Sequence, residues 1–464
     1  MNEKEINAKE FVAGLIERAR KAQKIAESFT QEKVDELVTA LAWTAVKEEN
    51  SRRLAEIALE ESRMGYYEAK YIKLTKKVRG ALRDLKGVKS VGVIETDKAK
   101  GLLKIIKPAG VIGVLAPCTN PEATPVIKSM SALKGQNAVV ISPHPRTRKT
   151  NLMIVNLMRE TLKKHGAPED LIITVENPTL EISGEVMKQC DLIVATGGTP
   201  MVKAAYSSGT PAIGVGTGNA VVIIDETADL KDAAEKVKTS KTFDYATSCS
   251  ADNALVIQES IYDRMVAALI EAGGYLCNSD EKAKLQNTVW IEGHLNKNII
   301  AQSADKIASE AGIHIGNDRE FIMVEETGVG NDYPFSGEKL SVVLTLYKYK
   351  EFSEAVEKVN AITDYMGKGH SCGIHSYNEE RIMKLATDTK ISRVMIRQAT
   401  SAANTGNWDN GMPFTMTLGC GTWGGNSVSE NVTWKHMVNT TWVSYPIPPI
   451  IPTDEELFGE IMYE

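Results

Sequence analysis

Residues 191–201 read Asp191-Leu192-Ile193-Val194-Ala195-Thr196-Gly197-Gly198-Thr199-Pro200-Met201. The apolar, β-branched run predicts a strand. The residues from Thr199 onward predict a helix start, since Thr199 can cap a helix and Pro200 suits its first turn. Gly197 and Gly198 let a ligand approach backbone N–H groups at the positive helix end, where a pyrophosphate can rest. The turn is not Gly-x-Gly-x-x-Gly, and a glycine pair at this point also serves as a plain tight connection.

Outward from this unit, short β-branched runs at 111–116, 138–142, 171–175 and 221–224 alternate with helical stretches. Strands and helices alternating over short connections predict an α/β fold with a doubly wound parallel sheet, whose ligands lie at the carboxyl ends of its strands. A second α/β region is expected from Lys241, through 255–257, 341–346 and 393–396. Its glycine-rich end, Leu418-Gly419-Cys420-Gly421-Thr422-Trp423-Gly424-Gly425-Asn426, reads as a long loop laid against a ligand. Before the first region, apolar residues from Ile6 through Val12, Leu15, Ile16 and Ala19 to Ala26 recur at helical spacing, so roughly the first 85 residues read as amphipathic helices. The runs 90–94 and 102–106 around a polar turn predict a hairpin whose edge suits subunit pairing. The tail at Tyr445-Pro446-Ile447-Pro448-Pro449 cannot be regular helix and is expected to wrap a neighbour.

A chain of 464 residues exceeds what one hydrophobic core supports, and 43% apolar with 25% charged residues is an ordinary globular balance. The formal net charge of −6 offers no long-range attraction to nucleic acid or an anionic membrane. The six cysteines are scattered, without a Cys-x-x-Cys pair, which is neither a disulfide framework nor a zinc pattern, and no metal site is expected. The N-terminus, 1–5, is charged, and no apolar run approaches the roughly 18 residues that span a bilayer. A soluble cytoplasmic protein is the expectation.

Cys249 sits in Thr247-Ser248-Cys249-Ser250 at the start of the second region. Most cysteines are small buried hydrophobes, but three neighbouring hydroxyls make a poor apolar core, and a thiol in a cleft between two α/β regions reads as a nucleophile. Asn120, after the first strand, presents a side-chain amide that can stabilise an oxyanion or can simply cap a turn. His370 and His375 either activate a thiol or pack as loop histidines, and their spacing is not that of a metal site. The segment Gly216-Thr217-Gly218-Asn219 contains no carboxylate to serve as a base.

Together these residues resemble the aldehyde dehydrogenase superfamily, and within it the CoA-acylating branch that includes acylating sulfoacetaldehyde and succinate-semialdehyde dehydrogenases and the aldehyde dehydrogenase half of aldehyde-alcohol dehydrogenases. The resemblance runs from about Ile25 to Glu430 and rests on Thr119-Asn120-Pro121, Ser142-Pro143-His144-Pro145, Ala195-Thr196-Gly197-Gly198, Gly214-Val215-Gly216, Cys249, Glu338-Lys339-Leu340, Gly369-His370 and the glycine-rich loop. It implies two doubly wound α/β domains, a Rossmann-like cofactor domain and a catalytic domain, with a small β oligomerisation element. The expected boundaries are 1–88 and 108–240 for the NAD-binding domain, 241–430 for the catalytic domain, and 89–107 and 431–464 for the oligomerisation hairpin and tail. A homodimer or homotetramer is implied.

By the same resemblance Cys249 is the nucleophile, Asn120 and the Cys249 N–H form the oxyanion hole, His370 completes the catalytic group and Glu338 meets the nicotinamide ribose. Thr119, Ser142, His144, Pro145, Arg146, Thr196, Gly197, Gly198, Val202, Gly216, Thr217, Gly218 and Leu340 then surround NAD or NADP. His144 stands where hydrolytic members commonly carry lysine, which leaves the choice between the two cofactors open. Hydrolytic members also carry a glutamate base where this chain has Gly216–Asn219. Coenzyme A brings its own acidic thiol, so the implied reaction is a ping-pong conversion of aldehyde, CoA and NAD(P)+ to acyl-CoA and NAD(P)H.

Ser248 and Ser250 wet the substrate pocket, and Arg397 can clamp an anion bidentately. The expected substrate is a small polar or anionic aldehyde: sulfoacetaldehyde first, succinate semialdehyde second, acetaldehyde third. Arg397 fits a CoA phosphate or a surface ion pair equally well. Two other classes match the residue types: a thiol hydrolase using Cys249 and His370, and a non-catalytic nucleotide-binding protein.

Overall fold

The computed structural model describes residues 7–463, so the charged start at 1–5 and Ile6 lie outside the described residues. Four helices open the chain: α1 (Ala8–Ala26), α2 (Gln31–Val46), α3 (Glu48–Ser62) and α4 (Tyr67–Leu85). Asn7 and Thr30 cap the first two by accepting the N–H groups of Lys9 and Lys33. Their apolar stripes, Val12, Ile16 and Ala19 on α1 and Val34, Leu37 and Leu41 on α2, are buried in the first core. The expected hairpin follows as β1 (Gly92–Asp97) and β2 (Leu102–Pro108), paired antiparallel.

Five parallel strands form the first sheet: β3 (Val111–Ala116), β4 (Ala138–Pro143), β5 (Ile172–Thr174), β6 (Leu192–Thr196) and β7 (Ala212–Val215), in the order β5-β4-β3-β6-β7. The strand order reverses between β3 and β6. Ligands bind at such a switch point, outside the carboxyl ends of the strands.

The second sheet begins earlier than position 241. β8 (Ala220–Ile224) pairs with β9 (Asp252–Gln258), not with β7. Val222 and Ile224 pack with Ala233 and Val237 of the following helix in the second core, so the chain crosses between the sheets at Gly216–Asn219. The expectation put 221–224 in the first domain because a β-branched run does not say which sheet it will join. Next in the chain come β10 (Gly274–Leu276), the small pair β11 (Trp290–Ile291) and β12 (His294–Leu295), then β13 (Phe321–Glu325), β14 (Val343–Tyr349), β15 (Cys372–His375) and β16 (Val394–Ile396). Seven of these strands form one parallel sheet, in the order β10-β13-β14-β9-β8-β15-β16. Alternate residues of β8 and β9 face opposite layers: Val222, Ile224, Leu255 and Ile257 on one side, Val221, Ile223, Ala254 and Val256 on the other. Both faces are thus covered, as a parallel sheet requires.

Past β16 the chain returns to the first core, where Phe414, Val432, Trp434 and Met437 are buried. The last strand, β17 (Val438–Ser444), adds to β2 and completes a three-stranded antiparallel sheet. The proline-rich stretch after Ser444 has no regular structure before a short helix at Asp454–Phe458.

Candidate active site

Loops leaving the carboxyl ends of β3 and β6 approach loops entering the amino ends of β8, β9, β14 and β15. Cys249 lies on the loop into β9, just after three consecutive residues with left-handed backbone, Asp244 (φ 51°), Tyr245 (φ 49°) and Ala246 (φ 60°). Such residues cost of the order of 1–3 kcal/mol each and persist only where their surroundings hold them. Here the Asp244 carboxylate accepts from Lys70 Nζ (2.9 Å), Lys73 Nζ, the Tyr66 N–H (3.2 Å) and Thr247 Oγ1 (2.7 Å). Burial opposes its charge, but the two ammonium groups overcome that and hold the carboxyl below its usual range.

Lys73 joins this loop to Asn120. Its Nζ donates to Asn120 Oδ1 (2.7 Å) and to Thr247 Oγ1 (3.2 Å). With Oδ1 occupied, the Asn120 amide must present Nδ2 as a donor, and one of its hydrogens already reaches Thr119 Oγ1 (3.2 Å). The other is available to an oxygen in the cleft. Gly218 of the crossover loop packs so closely that a Cβ there would lie 1.9 Å from the Cys249 carbonyl oxygen.

His370, fully buried, brings Nε2 to 3.1 Å from Cys249 Sγ and turns Nδ1 to Ser371 Oγ (2.8 Å). Burial, then the nearby Arg393, pushes the imidazole down to about 3. Burial, then Glu338, pushes the thiol up to about 12. The resting pair is therefore a neutral thiol beside a neutral imidazole. Gly369, at φ +78°, lets this loop pass against the glycine-rich loop, where a Cβ would lie 1.9 Å from the Cys420 carbonyl oxygen.

Glu338 supplies the carboxyl that Gly216–Asn219 lacks. Its Oε1 accepts the Gly218 N–H (3.2 Å), and it shares a small pocket of about 10 Å³ with Cys249, Ser248, Lys241 and Leu340. Burial raises this carboxyl to about 8, so at neutral pH it is mostly protonated. A neutral acid is a poor base for water.

The cofactor expectation falls on a cleft of about 280 Å³ lined by Thr199, Val202, Gly216 and Thr217 on one wall and by Lys368 and Trp423 on the other. Gly198 caps the helix Thr199–Tyr206, and Thr199 Oγ1 reaches Thr217 Oγ1 (3.3 Å) across the gap. Exposed helix N–H groups, glycines without side chains and a facing carboxyl suit a dinucleotide. Of the expected residues, Val202, Gly216 and Thr217 line this cleft, while Glu338 and Leu340 line the neighbouring pocket at Cys249, and Glu338 reaches the crossover loop through the Gly218 N–H. Other expected residues are engaged elsewhere: the Ser142 hydroxyl pairs inside the fold with Ser183 (2.9 Å), Thr196 Oγ1 pairs with Thr417 (3.0 Å), and Arg146 donates to the Ser62 carbonyl. His144 Nδ1 accepts the Arg146 N–H (3.2 Å) and caps the turn that begins at Pro145. Ser248 and Ser250 bond to each other beside Cys249 (2.9 Å).

Arg397 is a correction. It follows the carboxyl end of β16, whereas Cys249, Glu338 and His370 precede the amino ends of their strands. Its N–H bonds Ile374 O (2.8 Å), its guanidinium donates to Ser376 O (2.5 Å), and it stacks 4.3 Å from the centre of the Tyr377 ring. The run from His370 to Ser376 spans roughly 20 Å of extended chain at about 3.3 Å per residue. The arginine at the cleft is Arg393, four positions earlier, which donates to His370 O (2.9 Å), Gly419 O (2.6 Å) and Ser429 O (3.1 Å). Sequence reading also passed over Lys70, Lys73, Lys77 and Asp244. The signal was present: these lysines fall on the same helix stripe as Leu74, Val78 and Ala81, where a charge is out of place. Among the described residues no group of three or more His, Cys, Asp or Glu could hold a metal ion, and no helix is long and apolar enough to cross a membrane.

Residues 4–415 match the aldehyde dehydrogenase family. The chain is 48% identical over 460 residues to a sulfoacetaldehyde dehydrogenase of Acholeplasma sp, covering 98% of this chain and 95% of that protein. It is 47% identical over 456 residues to an acylating sulfoacetaldehyde dehydrogenase of Bilophila wadsworthia, covering 97% and 98%. Its fold matches the crystal structure of an acetylating aldehyde dehydrogenase from Geobacillus thermoglucosidasius with a TM-score of 0.93 at 37% identity, over 98% of this chain and 100% of that one. Near full-length agreement in both sequence and fold, around a buried thiol with a histidine at 3.1 Å, places this chain in the aldehyde dehydrogenase family.

Proposed function

We propose that this chain catalyses the CoA-acylating oxidation of sulfoacetaldehyde, with NAD or NADP as the hydride acceptor. The observation that carries the reading is the company of Cys249: a histidine at 3.1 Å, an amide donor locked by Lys73, and a single facing carboxyl held protonated. The names of the most similar relatives support the substrate and the acylating outcome.

Cys249 Sγ adds to the aldehyde carbon with His370 Nε2, 3.1 Å away, orienting the thiol and relaying its proton to the carbonyl oxygen, since an imidazole held at about 3 does not retain it. Asn120 Nδ2 and the Cys249 N–H receive the oxygen, which bears negative charge as the tetrahedral adduct forms. The Thr199–Tyr206 helix and Gly216 would hold the nicotinamide cofactor, which would supply the hydride acceptor, and loss of hydride from the adduct would leave a thioester on Cys249. Glu338, protonated and bonded to the Gly218 N–H, does not activate water, so the thioester waits for the thiol of CoA. The geometry also supports Glu338 at the cofactor ribose, because its carboxyl lies between the crossover loop and Cys249.

The three-stranded sheet, with Trp442 exposed, and the tail carrying exposed Ile450 and Ile451 support a homodimer or homotetramer built on this element. Light scattering on the intact chain, compared with a chain ending at Ser444, tests that part of the proposal. A cytoplasmic location is proposed on the free, scattered cysteines.

The test of function is a panel of sulfoacetaldehyde, succinate semialdehyde and acetaldehyde, assayed for NADH or NADPH with and without CoA. Steady turnover of sulfoacetaldehyde only with CoA is expected, and without CoA about one equivalent of reduced cofactor per site. Sustained turnover without CoA, lost in Glu338→Gln, would make Glu338 a water-activating base and the enzyme hydrolytic.

A further inference from the structure

Lys77 lies one turn beyond Lys73 on the same face of α4, about 5–6 Å further along the helix axis. It is only 7% exposed. Among the described residues its ammonium pairs with no carboxylate: Nζ donates to the carbonyls of Ala402 (3.2 Å) and Gly406 (2.7 Å) and stands 5.3 Å from the centre of the Phe414 ring. An ammonium has three N–H donors, so one remains unassigned. Burying an unpaired cation is costly unless an anion arrives to match it. Burial, followed by repulsion from Lys76 and Lys73, does depress this ammonium, to about 7.

Two connections tie Lys77 to the reacting centre. On its own helix, Lys73 holds Asn120 Oδ1 and Thr247 Oγ1. From the second region, the short helix Thr400–Ala403 that takes up Lys77 begins at Thr400, whose hydroxyl donates to the carbonyl of Ser250, next to Cys249 (2.6 Å). The group that orients the substrate carbonyl and the unmatched cation are therefore a helix turn apart. A two-carbon aldehyde with a terminal anionic group has that reach.

Resting on the proposed sulfoacetaldehyde activity, we infer that Lys77 Nζ recognises the sulfonate end of the substrate and sets the preference for an anionic short-chain aldehyde. Arg393 and Lys128 are the competing cations: Arg393 spends four contacts on the carbonyls of His370, Gly419 and Ser429 and on Asn431 but keeps Nε unpaired, and Lys128 Nζ is buried without a hydrogen-bond partner, on a helix that carries neither Asn120 nor a contact to the Cys249 loop.

The test compares kcat/KM for sulfoacetaldehyde and acetaldehyde in the wild type, Lys77→Met and Lys77→Gln, the last keeping a donor for the two carbonyls. Both variants are expected to lose about 100-fold for sulfoacetaldehyde while staying within about threefold for acetaldehyde, which also reports that the fold is kept. Equal losses for both aldehydes, or an undiminished preference for sulfoacetaldehyde, overturn the role of Lys77. So does a selective loss that appears in Arg393→Gln and not at Lys77. A wild type that ignores sulfoacetaldehyde defeats the proposed activity itself. Should neither variant fold, a crystal of the wild type soaked with ethanesulfonate decides: the sulfonate is expected within hydrogen-bond reach of Lys77 Nζ, and density at another position in the cleft rejects the assignment.

Discussion

At the carboxyl edge of the seven-stranded sheet, Arg381 pairs with Asp225 (3.0 Å) and Glu226 (2.8 Å), and Arg397 rests on a carbonyl and the Tyr377 ring. At the amino edge, Arg393 finds carbonyls and an amide but no carboxylate, Glu338 is pushed up to about 8, Lys241 down to about 7, His370 down to about 3 and the Cys249 thiol up to about 12. Burial is the leading cause at each of these four titrating groups. At the carboxyl edge the arginines have found partners and His375 is displaced, to about 4, whereas at the amino edge four groups are displaced together around one thiol. A fold tolerates such an edge where ligands complete it, which is why displaced ionisation marks a site.

The largest expected effect is at the thiol. Cys249→Ala should lower aldehyde oxidation by at least about 10⁴-fold while leaving cofactor affinity unchanged, because the thiol forms the covalent intermediate and need not touch the dinucleotide. Isothermal titration with NAD alongside turnover checks both halves, and appreciable residual turnover would return Cys249 to an ordinary packed cysteine. Asn120→Ala should lower kcat by about 100-fold or more, the scale of a lost oxyanion donor. An unchanged rate would leave that amide as a turn residue.

The arginines sharpen the comparison directly. Arg393→Gln removes donors from three carbonyls and should cost about 1–3 kcal/mol of stability, read by denaturant unfolding. Arg397→Met should leave kcat/KM for every aldehyde within about twofold, since its contacts lie at the other edge. A selective loss for sulfoacetaldehyde there would erase the contrast between the edges.

Ionisation gives two smaller effects. With the thiol raised to about 12, alkylation of Cys249 by iodoacetamide should climb about tenfold per pH unit from pH 7 to 10, and a plateau below pH 9 would show a thiolate already formed. His370 and His375 are held by burial at about 3 and about 4, below the ordinary 6.5, so the folded chain refuses protons that the unfolded chain accepts. Stability is therefore whole above pH 6.5 and falls as pH drops toward 4. His375→Gln should flatten that fall by at most about 1.4 kcal/mol per pH unit, measured by urea unfolding at several pH values.

Much of this was legible in the chain. The runs at 111–116, 138–142 and 192–196 became strands of one parallel sheet because β-branched residues bounded by turns have few other uses in a covered sheet. Thr247-Ser248-Cys249-Ser250 and the missing carboxylate at Gly216–Asn219 were local facts, and they pointed to the acylating branch without any knowledge of contacts in space. Composition and motif order carry such information because they depend on neighbours in the chain.

What depends on neighbours in space could not be read. The sheet that 221–224 joins, the carboxyl that reaches Gly218 from Glu338, and the separation of Arg393 from Arg397 by the length of a strand are all set by long-range pairing. The sequence shows an arginine after a strand, but two arginines flank that strand, and only the packed sheet says which end faces the cleft. The lysines of α4 make the same point. Their spacing put them on the buried stripe, and only the tertiary structure showed that two of them meet Asp244 while Lys77 meets no carboxylate among the described residues. The physical reason is that a charge's partner, and hence its ionisation, is chosen by packing across the cleft, whereas its helical position is chosen by the chain.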